Sequence, residues 1–321
     1  MALIKSIDDI KRHNSAIAGG MLLDSVQSFI DEALNRHIYP TVGYDQVTAL
    51  TEIEPAVNGK QTRLLELLQK AAVGFLVYYW ADQGAVQFSD LGIHVSKDSN
   101  SLPASDKKII ALKKQNIGSG FSALEQAVTF LESHLADFPI YAASLERLTN
   151  RELLINTSTE FQGSGVNINQ DARLYSTLRT YQRTIEDTYI LPVLGYDIKE
   201  MLHQGILNNS LTAEQQQLLK RVRRAVASYT MAEAIPFMAV SIDASGIFQL
   251  SETVGGISGN VENRSSASDL RLSVAMNRHQ MNAEQQIEVV RKYLVAHRSD
   301  FNYTSEDLGN INDNYQNVFF L

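Results

Sequence analysis

The chain has 321 residues, 44% of them hydrophobic and 20% charged, with a net charge of −8 and a pI near 5.4. That acidic balance disfavours general binding to nucleic acid or to acidic membranes. The absence of cysteine excludes disulfides, thiol catalysis and thiolate metal sites together.

The first residues, MALIKSIDDIKRHN, lack the apolar core of a signal peptide, and no apolar run in the chain is long enough to span a bilayer. A soluble, cytoplasmic protein is therefore expected. Residues 6–13 predict a short amphipathic helix with Ser6 and Asp9 as a cap pair. A longer helix follows over 22–37, with apolar positions at 22, 23, 26, 29, 30, 33 and 34. Pro40 and Gly43 stop it. A second long helix runs from about Gln61 to Asp82, its buried face marked by Leu64, Leu68, Ala71, Phe75 and Tyr79. The period then changes: Ala85–Lys97 holds two short apolar stretches around Asp90-Leu91-Gly92, a hairpin signal. The next helix starts at Ser105, read as its N-cap, with Asp106 in the first turn. Ile109, Leu112, Phe121, Leu124, Val128 and Leu131 supply its stripe, which Gly118 and Gly120 are expected to kink or break. Residues 155–170 are polar, contain glycine and carry no helical period.

The pattern then begins again. LLDSVQSFIDEALNRHIYPTVGYD, residues 22–45, aligns without a gap to LYSTLRTYQRTIEDTYILPVLGYD, residues 174–197. The echo continues through KAAVGF and RAVASY, the two Ala-Ser-Asp triplets at 104–106 and 267–269, and His134 and His297. A period this long is domain-sized and means tandem duplication, not a solenoid. The expected fold is mostly α: a tandem duplication of a helical module, each copy with one small β-hairpin, the second around Asp243 and Gly246. The expected boundaries are a first module over 1–150, a linker over 151–171, a second module over 172–304 and a tail over 305–321.

Chemistry is sparse. The seven histidines form no His-x-His or His-x-x-x-His pair, and His134 and His297 read as ends of long helices. Gly255–Gly259 lacks the Lys-Ser/Thr of a phosphate loop, and the Asp90 and Asp243 turns lack the alternating ligands of a calcium loop. No catalytic, cofactor-binding or metal-binding residue is predicted, and an enzyme is not expected. Lys220, Arg221, Arg223 and Arg224 form the densest basic cluster. It reads as a solvated helix face with Val222 and Val226 inward, or as an electrostatic contact for an acidic partner or nucleic acid. Tyr44 and Tyr196, in the repeated Gly-Tyr-Asp, read as turn tyrosines beside capping Asp45 and Asp197, or as interface residues. The tail closes on Val318, Phe319, Phe320 and Leu321, which need burial on their own module or in a neighbouring chain.

Four stretches together resemble an uncharacterised family from prophages of gut bacteria. They are the helix ending Tyr39-Pro40-Thr41-Val42-Gly43, the long helix ending Tyr78-Tyr79-Trp80, VQFSDLGIHVSKDSNSLPASD, and FSALEQAVTFLES. That family is in turn similar to phage head–tail connector and head-completion proteins. The likeness covers roughly 20–141. It implies a virion or neck assembly protein, cytoplasmic or in the virion, forming rings between capsid portal and tail. Its partners would be portal, capsid or tail proteins, or further copies of the chain; the sequence itself speaks against a membrane, and its acidic balance disfavours nucleic acid. No catalytic residues come with it. The duplication departs from simple connector proteins, so one-to-one stoichiometry with the portal is not implied. The alternative reading is a helical ligand-binding or regulatory protein with a pocket between the two modules.

Overall fold

The computed structural model describes residues 3–15, 17, 22–52, 59–83, 86–89, 92–95, 105–238, 240–243, 246–249, 252–255, 261–264 and 268–303. The chain is mostly helical and divides into two units: Met1–Asn150 with Ser251–Ser265, and Arg151–Leu250 with Ser266–Leu321.

The first unit begins at Leu3 and Ile4, both fully buried. Next comes α1 (Ile7–His13), closed by a reciprocal cap. Ser6 Oγ accepts from the Asp9 N–H at 3.3 Å, and Asp9 Oδ2 accepts from the Lys5 and Ser6 N–H groups at 3.0 Å each. A 3₁₀ turn leads into α2 (Gln27–Ala33), which runs on as a π turn, Leu34–Ile38. The one-turn α3 (Tyr39–Val42) carries Pro40. Proline cannot donate to the carbonyl four residues back, so the wider turn just before it, with Tyr39 N–H on the Leu34 carbonyl, absorbs the change of register. Gly43 ends α3 with φ 90°, and α4 (Tyr44–Glu52) starts at the next residue. Then come α5 (Gly59–Gln83), the antiparallel strands β1 (Val86–Ser89) and β2 (Gly92–Val95), α6 (Asp106–Ser133), α7 (Pro139–Ala142) and α8 (Leu145–Asn150). α5 and α6 pack along each other and carry the core residues Leu64, Leu68, Phe75, Leu124 and Leu131.

The second unit repeats these devices. Leu154 and Ile155 are buried, and Thr157 caps α9 (Ser158–Gly163). Its hydroxyl accepts from the Glu160 N–H at 3.0 Å, while Glu160 Oε2 accepts from the Asn156 N–H at 2.7 Å. There follow α10 (Ala172–Ile185), a π turn Glu186–Ile190, α11 (Leu191–Leu194) with Pro192, Gly195 at φ 73°, α12 (Tyr196–Leu207) and α13 (Ala213–Met238). In this unit β3 (Val240–Asp243) pairs antiparallel with β4 (Gly246–Gln249); the next antiparallel pair, β5 (Glu252–Gly255) with β6 (Val261–Arg264), belongs to the first unit. The second unit closes with α14 (Asp269–Ala296), packed along α13, and α15 (Arg298–Phe301). Even the aromatic contacts recur. His37 of the first π turn stacks on Phe75 at 3.9 Å, and Tyr189 of the second stacks on Tyr229 at 4.4 Å. Phe130 with His134, and Tyr293 with His297, close the C-terminal ends of α6 and α14 at 4.4 and 4.3 Å.

Four expectations need correction. Residues 151–171 are no linker: Leu153, Leu154, Ile155, Phe161, Val166 and Ile168 are buried, and most of them belong to the second core. This segment is the counterpart of the chain's first residues, with Leu154, Thr157 and Glu160 matching Leu3, Ser6 and Asp9. Strand pairs stand at both expected places, β1 with β2 and β3 with β4, but a further pair, β5 with β6, was not expected. Among the described residues the second half holds two strand pairs, and the later one groups with the first unit. Gly118 and Gly120 do not break α6, which is continuous; a Cβ on Gly120 would sit 2.8 Å from the Phe75 ring. Finally, Ser105 and Ser268 stand at N-cap positions with extended backbone, yet neither side chain accepts a cap hydrogen bond.

Gly74 lies opposite Gly120, and a Cβ there would meet the Asn116 carbonyl and the Gly120 N–H, each at 2.8 Å. The second copy carries Ser228 and Ala283 at the matched positions, so this glycine contact belongs to the first unit alone. Gly74→Ala must push one helix backbone off the other, at a cost of about 1–3 kcal/mol. Gly195→Val meets no neighbour, because nothing lies within 4 Å of the added Cβ, but it forces φ 73° with ψ 162° on a branched residue. That strain alone costs about 1–3 kcal/mol. Urea denaturation should show both losses, while Gly118→Ala, with open space around its Cβ, should be neutral or stabilising.

Candidate functional site

The residues that begin each unit wall a cleft against the long helix. In the first unit Gln69 of α5 donates through Nε2 to the Leu3 carbonyl at 3.0 Å. In the second, Arg223 of α13 donates through Nε to the Leu154 carbonyl at 2.7 Å. Arg223 is the counterpart of Gln69 and Leu154 that of Leu3, so one clamp is built twice. Beside each clamp lies a cavity, about 280 Å³ in the first unit and about 570 Å³ in the second. Asp9, Thr62, Leu65, Glu66 and Gln69 of the first lining become Glu160, Gln216, Leu219, Lys220 and Arg223 of the second.

The exchange turns a balanced charge into a positive one. Lys5 and Arg12 face Asp9 and Glu66 in the first cleft, whereas Arg151, Lys220 and Arg223 face Glu160 in the second. Arg223 Nη2 is held by Glu160 Oε1 at 2.9 Å, and Arg151 Nη2 donates to the Ile206 carbonyl at 3.2 Å. Lys220 stays exposed. The second cleft can therefore receive a polar or anionic group at a cationic wall, with Lys220 the movable charge.

The basic cluster predicted from sequence is dispersed. Arg223 points inward to its clamp. Arg221 donates to the Gln217 carbonyl at 2.7 Å and lies over the Tyr293 ring at 4.2 Å. Lys220 and Arg224 are exposed, and Val222 and Val226 are buried. A four-residue electrostatic face is thus corrected to two exposed cations with two structural arginines between them. Tyr44 and Tyr196 each head a helix directly after a positive-φ glycine and are 61% and 72% exposed. Tyr44 meets Tyr39 edge-on at 5.1 Å. Asp45 and Asp197 sit in the first turns of their helices and are not caps. Val318, Phe319, Phe320 and Leu321 lie outside the described residues.

One group escaped the sequence reading. Glu186, in the second π turn, is 2% exposed and lines a cavity of about 250 Å³ that Tyr196 also lines. Its Oε1 accepts from the Leu154 N–H at 2.8 Å and from Gln182 Nε2 at 3.0 Å. Burial outweighs these donors and Lys199, and pushes the carboxyl up to about 7. The aligned copies held the signal: Gln182 and Glu186 stand where the first module has Ile30 and Leu34. In the first unit burial acts on His37 in the opposite sense, lowering it to about 4, with Arg36 adding to the effect.

The comparisons match this duplicated architecture. The chain belongs to a family of unknown function, DUF6712, whose model matches residues 38–151 and 190–312. The two matches start at equivalent places, Ile38 and Ile190. No curated protein and no solved structure matches the chain. Among the described residues no group of three or more His, Asp or Glu could hold a metal ion, and no helix is long and apolar enough to cross a membrane.

Glu186 makes stability depend on pH in a stated direction. With its folded value above the ordinary one near 4.5, the folded chain keeps a proton that the unfolded chain has lost between pH 4.5 and 7. Stability therefore falls as pH rises through that window, by up to about 3 kcal/mol. Glu186→Gln has no such proton, so its stability relative to the parent should rise from pH 4.5 to 8. Urea titrations at pH 4.5, 6 and 8 measure this; parallel pH profiles would show that Glu186 titrates normally.

Proposed function

We propose that this chain is a structural assembly protein acting through protein–protein interfaces, of the head–tail connector type that its sequence resembles. The supporting observation is the paired display of Tyr44 and Tyr196. Each is a large, exposed ring at the first position of a helix, held there by a π turn, a proline and a positive-φ glycine. Exposed aromatics with a polar tip suit interfaces, and the duplication repeats the display once per module. Leu270, Val274 and Met281, 60–75% exposed on one face of α14, extend the apolar surface of the second unit. The two-stranded pairs are proposed as further docking elements. The assembly would form in the cytoplasm and end in the virion, with portal, capsid or tail proteins or further copies as partners.

The 570 Å³ cationic cleft favours a second reading, a ligand-binding or regulatory module whose pocket lies within the second unit.

Light scattering across a concentration series separates the two. The assembly reading expects a mass above the 35.7 kDa monomer, alone or with a capsid or portal subunit. The double substitution Tyr44→Ser, Tyr196→Ser should return the mass toward the monomer with an unchanged melting temperature. A parent chain that stays monomeric and binds no such subunit overturns it.

A further inference from the structure

We propose that the cavity beside Tyr196 is a receptor for a single cationic nitrogen, an ammonium or guanidinium group, held by the carboxylate of Glu186.

The comparison of the two copies is the first ground. Both π turns are built alike, and in the first unit the residues facing the core are Ile30 and Leu34, at 0% and 5% exposure. In the second, Gln182 and Glu186 occupy those places at 0% and 2%. The fold needs no polar pair there, as the first copy demonstrates, and burying a carboxyl and an amide is unfavourable unless they are satisfied. They are only partly satisfied. Gln182 Oε1 is buried with no hydrogen-bond partner. Both donors to Glu186 reach Oε1, which leaves Oε2 to the cavity that the residue lines.

The second ground is the surrounding charge. The neighbouring cations are committed to other carboxylates. Lys199 Nζ is 2.7 Å from Asp187 Oδ1, and Arg179 and Arg183 both reach Glu152. Among the described residues Glu186 forms no ion pair, and since Glu152, Asp187 and Glu200 are balanced by Arg179, Arg183 and Lys199, the unmatched negative charge of the cavity is that of Glu186 itself. A space of about 250 Å³ fits the head of a lysine or arginine side chain or a short alkylamine, not a nucleotide or a cofactor. Tyr196 also lines the cavity, and an aromatic ring attracts a cation that meets its face. An incoming cation would supply the partner that a buried carboxylate requires.

The site would exist whether or not copies of the chain assemble, and its test does not involve mass. The full chain is titrated with butylammonium chloride, with N-acetyl-lysine methylamide, and with butan-1-ol as the neutral analogue, followed by amide chemical shifts. Saturable shifts in residues 186–203 with either amine and none with the alcohol are expected. Butylammonium binding points to a free amine as the ligand, and binding of the capped lysine alone points to a side chain presented by a protein. Glu186→Gln should weaken binding at least tenfold and Glu186→Leu, the residue of the first copy, should abolish it. The leucine variant should melt no lower than the parent, so its loss of binding cannot be laid to unfolding. No saturable binding of either amine, or equal binding by the parent and a folded variant, overturns the proposal.

Discussion

Each unit is closed at its beginning by one side-chain donor reaching from a long helix to a buried backbone carbonyl. Gln69 holds the Leu3 carbonyl, and Arg223 holds that of Leu154. An unmet buried carbonyl costs about 1–3 kcal/mol, so the first residues of each copy stay where the donor can reach them. The rest follows from that placement. Leu3 and Ile4, or Leu154 and Ile155, are delivered to the core; the reciprocal cap turns the chain into α1 or α9; and the side wall of each cleft is set. In the second unit the donor is charged and also binds Glu160, which ties clamp and cap into one network.

On this shared frame the copies differ mainly in side chains, and the differences gather in cavities. The π turn, the proline, the positive-φ glycine and the stacked ring are the same device in both units. The changes are Leu34 to Glu186, Ile30 to Gln182, Glu66 to Lys220 and Gln69 to Arg223. The backbone devices account for the fold, and function resides in what is mounted on them. The first unit retains an apolar π turn and a mixed-charge cleft, while the second carries a buried carboxyl on one side and a cationic cleft on the other.

The duplication was legible because long amphipathic helices write their apolar spacing over many residues, and the Pro-x-x-Gly-Tyr-Asp stop is compact. The start of the second module was not legible for the opposite reason. α9 is six residues long, too short to establish a period, and Leu153-Leu154-Ile155 is a brief apolar run among polar neighbours. The cap pair Ser6 and Asp9 was readable, and Thr157 with Glu160 repeats it in different residue types. Gly118 and Gly120 looked like breaks because the residues that demand closeness, Gly74 and Phe75, lie on another helix. Arg223 looked like part of a surface patch because its acceptor is 69 residues away. Glu186 is polar on an amphipathic helix, so its own residue type hides the burial, and only its alignment with Leu34 of the first copy carries the signal.

The central claim is that the second module begins at residue 151, with its first segment folded into its core. Native-state hydrogen exchange followed by mass spectrometry addresses it directly. The account predicts that peptides covering 153–168 are protected at the level of α13, as those covering 3–10 are at the level of α5, because burial and the clamp couple their opening to unfolding of the unit. If 153–168 exchanges orders of magnitude faster than α13, as an exposed connection would, the claim is contradicted.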